Sequence, residues 1–301
     1  MYQGSLSHLS PVLKLISLLL LVITFGSLAG FVLTYIGDAV FEVDMTSRES
    51  IRSNVPFMQT SQMVQSISLF VIPPLIGFYL FYNKFKEGIQ GSGHTSVRIL
   101  ILTIALVLLS QVFITFSGWL NHQLALPDGF QHVLDWVISK EDQARQYTII
   151  MIRSNSWQQV LITLIMISVI PAIGEEWVFR GIIQRELSVF FKNSHVAIFI
   201  TAILFSAIHM QFLTFLPRFL IGLILGYLFL YSRNLWMPIL AHFTNNFMAT
   251  VVYMYMTSKT GQSPLEMPSN NPFGISVILS FCVIPLFLYL TKRIGSVKGG
   301  Y

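Results

Sequence analysis

From Val12 to Ile36 the chain carries one charged side chain, Lys14, in an otherwise apolar run. A bilayer core of about 30 Å takes roughly 20 helical residues to cross, and backbone in lipid must satisfy its own hydrogen bonds. Such a run is therefore committed to a membrane helix. Five more runs meet the same measure: Met63 to Tyr82, Ile99 to Leu120, Trp157 to Gly174, Leu235 to Met256 and Pro272 to Leu290. Val196 to Met210 and Phe219 to Ser232 are short for lone spans but can cross if their polar flanks lie in a protein-lined cavity. The expected fold class is all-α: a polytopic membrane protein of about eight transmembrane helices.

Composition excludes the other classes. Hydrophobic residues make up 54% and charged residues 10%, with a mean hydropathy of +0.68, whereas a soluble chain has charges at about a quarter of its positions. Disorder and a water-soluble surface are both ruled out. The net charge of +5 fits basic loops against anionic lipid and calls for no nucleic-acid partner. The single cysteine, Cys282, allows neither an intrachain disulfide nor a thiol metal site. The first run is longer than a signal-peptide core and lacks a small-residue cleavage site, so it reads as an uncleaved span.

Lys and Arg set the expected orientation. With the N-terminus inside, the inner segments hold Lys14, Lys84, Lys86, Arg98, Arg180, Arg185, Lys192, Arg233, Lys292, Arg293 and Lys298. The outer segments hold the other seven, so both termini are expected to be cytoplasmic. The outer connections Asp38 to Gln62 and Asn121 to Ser156 are mixed in charge, with a turn signal at Pro127-Asp128-Gly129. Asp135 to Tyr147 reads equally as an interfacial helix or a solvated loop. Pro73-Pro74, Pro171 and Pro238 should kink their spans, and Thr257 to Asn271 reads as a loop. Three regions follow: 1–156, a three-helix membrane region with outer loops; 157–256, a helical core; and 257–301, a loop, a last span and a basic tail.

An ionisable group at membrane depth costs from about 2.5 kcal/mol upward, so each one there asks for a reason. The first three spans have almost none; three helices between Trp157 and Met256 have several. In Gly174-Glu175-Glu176-Trp177-Val178-Phe179-Arg180, Glu176 and Arg180 stand four apart and can pair on one face. Glu175 points about 100° away with no partner on its own helix, which suits it to general acid/base work; a charged helix end at the interface is the plainer alternative. Phe205 and His209 share a face of the next helix, where a lone histidine is more often structural. His242 and Asn246 present two donors on one face of a third helix, which alone would fit inter-helix bonding. Together they make a hydrolytic set, in which Glu175 deprotonates a water, His209 positions it, and His242 with Asn246 holds the oxyanion. A rise of about 1.5 Å per residue puts His209 roughly 20 Å and His242 roughly 10 Å from the cytoplasmic boundary, so the helices must tilt or start at different heights.

At these residues the chain resembles a known family. Glu-Glu-x-x-x-Arg at Glu175 to Arg180, Phe-x-x-x-His at Phe205 to His209 and His-x-x-x-Asn at His242 to Asn246, in that order on separate helices, are similar to the CPBP family of intramembrane proteases. That family comprises CAAX prenyl endopeptidases and bacteriocin-processing (Abi) proteins. The resemblance covers about a third of the chain, Trp157 to Met256. It implies an eight-helix protease with a cavity in the bilayer open to the cytoplasm, water activated by Glu175 with His209, an oxyanion hole of His242 and Asn246, and a supporting pair of Glu176 and Arg180. It also suggests a bacterial host, hence the inner cell membrane, and as substrate a leader peptide, a bacteriocin-related peptide or a membrane-protein segment.

Glu175, His209 and His242 also have the composition of a catalytic zinc site. No His-Glu-x-x-His element is present, and Asn246 beside His242 suits an oxyanion donor, so no cofactor is favoured and zinc stays the alternative. Two other functions remain open on these residues: a proton-coupled transporter using them as a relay, and a non-catalytic membrane scaffold.

Overall fold

In the computed structural model of the protein, residues 4–91, 96–123, 129, 131–152, 156–260 and 274–297 are described, apart from the side chains of 87, 257–260 and 295–297. Nine long helices carry the architecture among them. They are α1 (Pro11–Ala39), α2 (Val55–Phe81), α3 (Val97–His122), α4 (Gln131–Ile152), α5 (Trp157–Phe191), α6 (Ser194–Ala207), α7 (Phe215–Ser232), α8 (Trp236–Thr260) and α9 (Ser276–Val297). Described residues contain no strand, only one isolated bridge between Gly91 and Asn234.

Six helices, α1, α2, α3, α5, Phe212–Ser232 and Ser276–Ile294, are long and apolar enough to cross a membrane. The chain is a multi-pass membrane protein, but the expected count of eight is not reached by that measure. The two that fall short do so for physical reasons: α6 has 14 residues, and α8 carries His242, Thr244, Asn245 and Asn246 within its apolar run. Leu20, Phe31 and Tyr35 of α1 are exposed, as befits side chains whose solvent is lipid.

Helix starts follow the sequence. Ser10, Asn54, Ser96, Ser156 and Asn193 each accept a backbone N–H of the first turn, and Pro11 and Pro56 occupy early helical positions where an N–H is not needed. The interior prolines are accommodated differently. Wide π turns at Ile67–Val71 and Ile165–Val169 precede Pro73-Pro74 and Pro171; they absorb the lost N–H and the clash with the carbonyl four residues back. A third π turn, Trp177–Ile183, keeps α5 continuous through Phe191.

The helices cross between two faces. On one lie the N-terminal segment, where Leu6 N–H donates to Leu80 O at 2.9 Å, and the α7–α8 turn, where Leu235 N–H donates to Gln90 O at 2.8 Å. Lys292 of α9 returns to it over the ring of Tyr231. On the opposite face lies α4, resolving the alternative over Asp135 to Tyr147 in favour of a helix. Gln59 Nε2 donates to Met151 O at 3.1 Å, and Leu213 N–H donates to Glu141 Oε1 at 2.9 Å, clamping α4 over the bundle. The turn expected at Pro127-Asp128-Gly129, most of the loop expected over 257–271, Arg153 and Lys298 fall outside the described residues; α8 itself extends through Thr257 to Thr260.

Two buried clusters hold the bundle. Leu18, Phe78, Phe81, Phe179, Ile182 and Phe205 join α1, α2, α5 and α6; Leu106, Val107, Leu225, Leu228 and Ala241 join α3, α7 and α8. At Gly174 a Cβ would stand 2.9 Å from Phe70 Cβ and 3.0 Å from its carbonyl oxygen. Glycine there lets α5 touch the backbone of α2 one residue before Glu175.

Candidate active site

The π turn and Gly174 deliver Glu175 and Glu176 into the bundle with different fates. Glu176 is fully buried. Its Oε1 accepts from Arg180 Nη1 at 2.8 Å and faces His242 Nδ1 at 2.9 Å. Arg180, also fully buried, donates from Nη2 to the backbone oxygen of Gly222 at 2.9 Å. Its guanidinium lies 4.8 Å from the ring centre of Phe205. The expected i, i+4 pair is thus present, and it anchors α5 to α7 and α8.

Among the described residues Glu175 Oε2 has no hydrogen-bond partner, and His242 Nε2 lies 3.9 Å from it, beyond hydrogen-bond reach. The carboxylate lines a cavity of about 730 Å³ together with His209, Arg218, Asn246, Met166 and Ile167. A roof of α4 side chains, Tyr147, Thr148 and Met151, covers it.

His209 follows the end of α6, with Nδ1 2.8 Å from Phe205 O. The Phe205 ring meets both imidazoles edge-on, at 5.4 Å from His209 and 5.7 Å from His242. The difference in depth expected from residue counting survives as a difference in place: His209 is on the cavity wall, whereas His242 is buried and is not among the lining residues. His242 lies between the two glutamates instead.

Asn246 reaches the cavity from α8, and its amide is fixed from two sides. Asn245 Nδ2 donates to Asn246 Oδ1 at 3.2 Å, while Asn246 Nδ2 donates to Ile167 O at 3.2 Å. Ile167 stands four residues before Pro171, so its carbonyl is the one that Pro171 deprives of a helical partner. One amide hydrogen of Asn246 fills that vacancy and the other is left for the cavity.

Sequence reasoning missed three contributors. Gln111 of α3 donates to Asn245 Oδ1 at 3.1 Å and so orients Asn246 at one remove; a glutamine inside the run Ile99 to Leu120 was the available signal. Arg218, assigned by charge counting to an outer connection, lies in α7 and lines the cavity, held by Gln211 Oε1 and Thr214 Oγ1. The α4 roof left no trace beyond the interfacial-helix alternative over Asp135 to Tyr147.

Each histidine has its Nδ1 engaged by a protein oxygen, the pattern seen behind metal-bound imidazoles, which removes one sequence argument against zinc. Among the described residues, however, no three His, Cys, Asp or Glu side chains stand close enough to hold one ion. As arranged, Glu175, His209 and His242 do not fit a shared metal.

The cavity lies toward the face that carries α4 and residue 51, away from the contact of Leu6 with Leu80.

Residues 157–248 match a family model described as type II CAAX prenyl endopeptidase, Rce1-like. No curated protein and no solved structure matches the chain. The matched stretch, about a third of the chain, contains Glu175, Glu176, Arg180, Phe205, His209, His242 and Asn246, and over it the chain is similar to the CAAX prenyl endopeptidase family of membrane proteases.

Proposed function

We propose that the protein is an intramembrane endopeptidase that hydrolyses a peptide bond in a membrane-associated peptide or protein. The observation that carries the reading is the unequal treatment of two adjacent buried carboxylates. Each has an Oε2 without a bond among the described residues, but Glu176 Oε1 is held by Arg180 and His242 away from the cavity, while Glu175 stands at the wall of a cavity large enough for a peptide segment.

In the proposed reaction Glu175 accepts a proton from a water placed against His209, and the hydroxide oxygen bonds to the scissile carbonyl carbon. The carbonyl π electrons move to oxygen, where the second amide hydrogen of Asn246 donates to the oxyanion. Collapse of the intermediate breaks the C–N bond, and the proton held by Glu175 passes to the leaving nitrogen. With its Nδ1–H directed to Glu176, His242 can donate from Nε2 to the oxyanion only as an imidazolium; Asn246 donates in any protonation state. Zinc is not used in this scheme.

The orientation we propose keeps the termini in the cytoplasm. Lys14, Lys84, Lys86, Lys192, Arg233 and Lys292 stand on the terminal side, so substrate enters from the other side of a cell membrane. The substrate class is a leader peptide, a bacteriocin-related peptide or a membrane-protein segment. Comparing membrane proteomes of cells bearing the wild type or Glu175→Ala tests the activity: cleavage products should be lost while the variant remains inserted and folded. Full cleavage by the variant ends the proposal.

A further inference from the structure

We propose that a second cavity, at the terminal face of the bundle, binds an anionic phosphate group, presented by a lipid headgroup or by a free phosphate ester. This cavity has a volume of about 600 Å³ and is lined by Lys14, Lys84, Arg185 and Arg233, with Ser7 and Asn83 beside them. No carboxylate is among its described lining residues. Glu186 stands alongside, 3.6 Å from Lys14 Nζ and accepting from the Tyr82 hydroxyl at 3.0 Å.

The four cations come from α1, the segment after α2, α5 and the α7–α8 turn, so their convergence is a product of the fold and not of a basic stretch in the chain. Their supports are built. Arg185 is stacked between the rings of Tyr82 and Phe229, at 5.5 and 5.1 Å, which holds its planar fork in place. Arg233 occupies a left-handed backbone position, φ 52°, in a turn fixed by the bond from Leu235 N–H to Gln90 O. A phosphate accepts charge-assisted bonds from the arginine fork and from lysine ammonium groups alike. The cavity's level agrees with such a ligand: α1 begins at Pro11, α2 ends at Phe81 and α7 ends at Ser232 around it, so it opens where headgroups lie. Basic pockets between membrane helices are the recurrent form of headgroup site. The cavity is separate from the peptidase site, because Arg185 is ten residues along α5 from Glu175, about 15 Å at a helical rise. The inference stands whether or not the protein cleaves peptides.

The test uses the full chain purified in a neutral detergent and titrated with phosphatidylglycerol, with glycerol phosphate and with phosphatidylcholine, binding being read by native mass spectrometry and by thermal shift. Lys84 and Arg233 are exposed. Lys84→Ser suits the start of the helix Phe85–Gln90, and Arg233→Asn tolerates the left-handed backbone. The double variant should bind phosphatidylglycerol about 30-fold more weakly, and either single variant about 5-fold more weakly, while Lys140→Gln on the opposite face changes nothing. If the double variant is unstable without lipid, the single variants carry the comparison. Binding of phosphatidylglycerol alone supports a lipid headgroup, and competition by glycerol phosphate supports the phosphate group from either source. Wild-type affinity in the Lys84 and Arg233 variants, an equal loss in Lys140→Gln, equal binding of phosphatidylcholine, or no binding to the wild type would overturn it.

Discussion

Replacing Glu175 by Gln and Glu176 by Gln is the same chemical change at neighbouring positions, yet the structure assigns the two opposite signs of stability. Glu176 Oε1 receives Arg180 Nη1 at 2.8 Å and faces His242 Nδ1 at 2.9 Å, all three side chains being buried. A glutamine keeps an acceptor oxygen but turns two charge-assisted bonds into ordinary ones, a loss of about 1 kcal/mol each. It also leaves the Arg180 charge buried with neutral acceptors only, the glutamine oxygen and the Gly222 carbonyl; breaking a buried pair outright costs about 3–5 kcal/mol. Glu176→Gln should therefore lose about 3 kcal/mol. Glu175→Gln removes a buried carboxylate whose Oε2 has no partner, so its stability should equal or exceed that of the wild type. Activity divides the other way: loss of a general base costs about 10²–10⁴ in rate, so Glu175→Gln is inactive although stable. Thermal unfolding in detergent, alongside peptide cleavage at a temperature where both variants are folded, measures both. A Glu176→Gln protein as stable as the wild type, or a Glu175→Gln protein less stable than Glu176→Gln, would refute the division of labour.

Asn246→Ala should lower kcat about 10²-fold through the missing oxyanion donor and lose about 1–2 kcal/mol by stranding the Ile167 carbonyl. Adding Pro171→Ala, which restores an N–H four residues on, should recover the stability and not the activity. Gly174→Ala forces a Cβ to within 2.9 Å of Phe70 and should cost about 1–3 kcal/mol by overpacking, with reduced cleavage because Glu175 is the next residue; wild-type melting would show that α5 does not approach α2 so closely. In a Cys282→Ser background, cysteines at Ser7 and Lys140 should label from opposite sides of the membrane, and labelling from one side would contradict the two-faced fold. Chelation should leave cleavage intact; loss of activity restored by zinc would replace the metal-free scheme.

The membrane class and most helices were legible because lipid imposes one requirement, continuous apolar helix, that composition reports directly. The partnership of Glu176 with Arg180 was legible too, since i, i+4 spacing survives even through the π turn that holds Arg180. The position of His242 was not. Spacing on α8 put it on one face with Asn246, but what an imidazole bonds depends on which helix packs opposite, and α5 supplies Glu176 there. Arg218 was misplaced for a related reason: a charge at the edge of an apolar run looks like a loop residue until the fold provides Gln211 and Thr214 to hold it. The cavity itself, formed by α2, α4, α5, α7 and α8 side chains distant in sequence, has no local signal at all.

The π turn at Ile165–Val169 has a further effect on the reading frame of α5. A π turn lodges one extra residue in a helix, and successive residues differ by about 100° around the axis. Wound as plain α-helix from the same start, these residues would carry the extra one forward, and every later side chain would stand in the place of its successor. Gly174 would then face the cavity, and Glu175 would take the place of Glu176 opposite His242. Of two chemically identical neighbours, the one on the cavity wall is thus chosen by a widened turn upstream, in a stretch that contains no polar chemistry except Ser168.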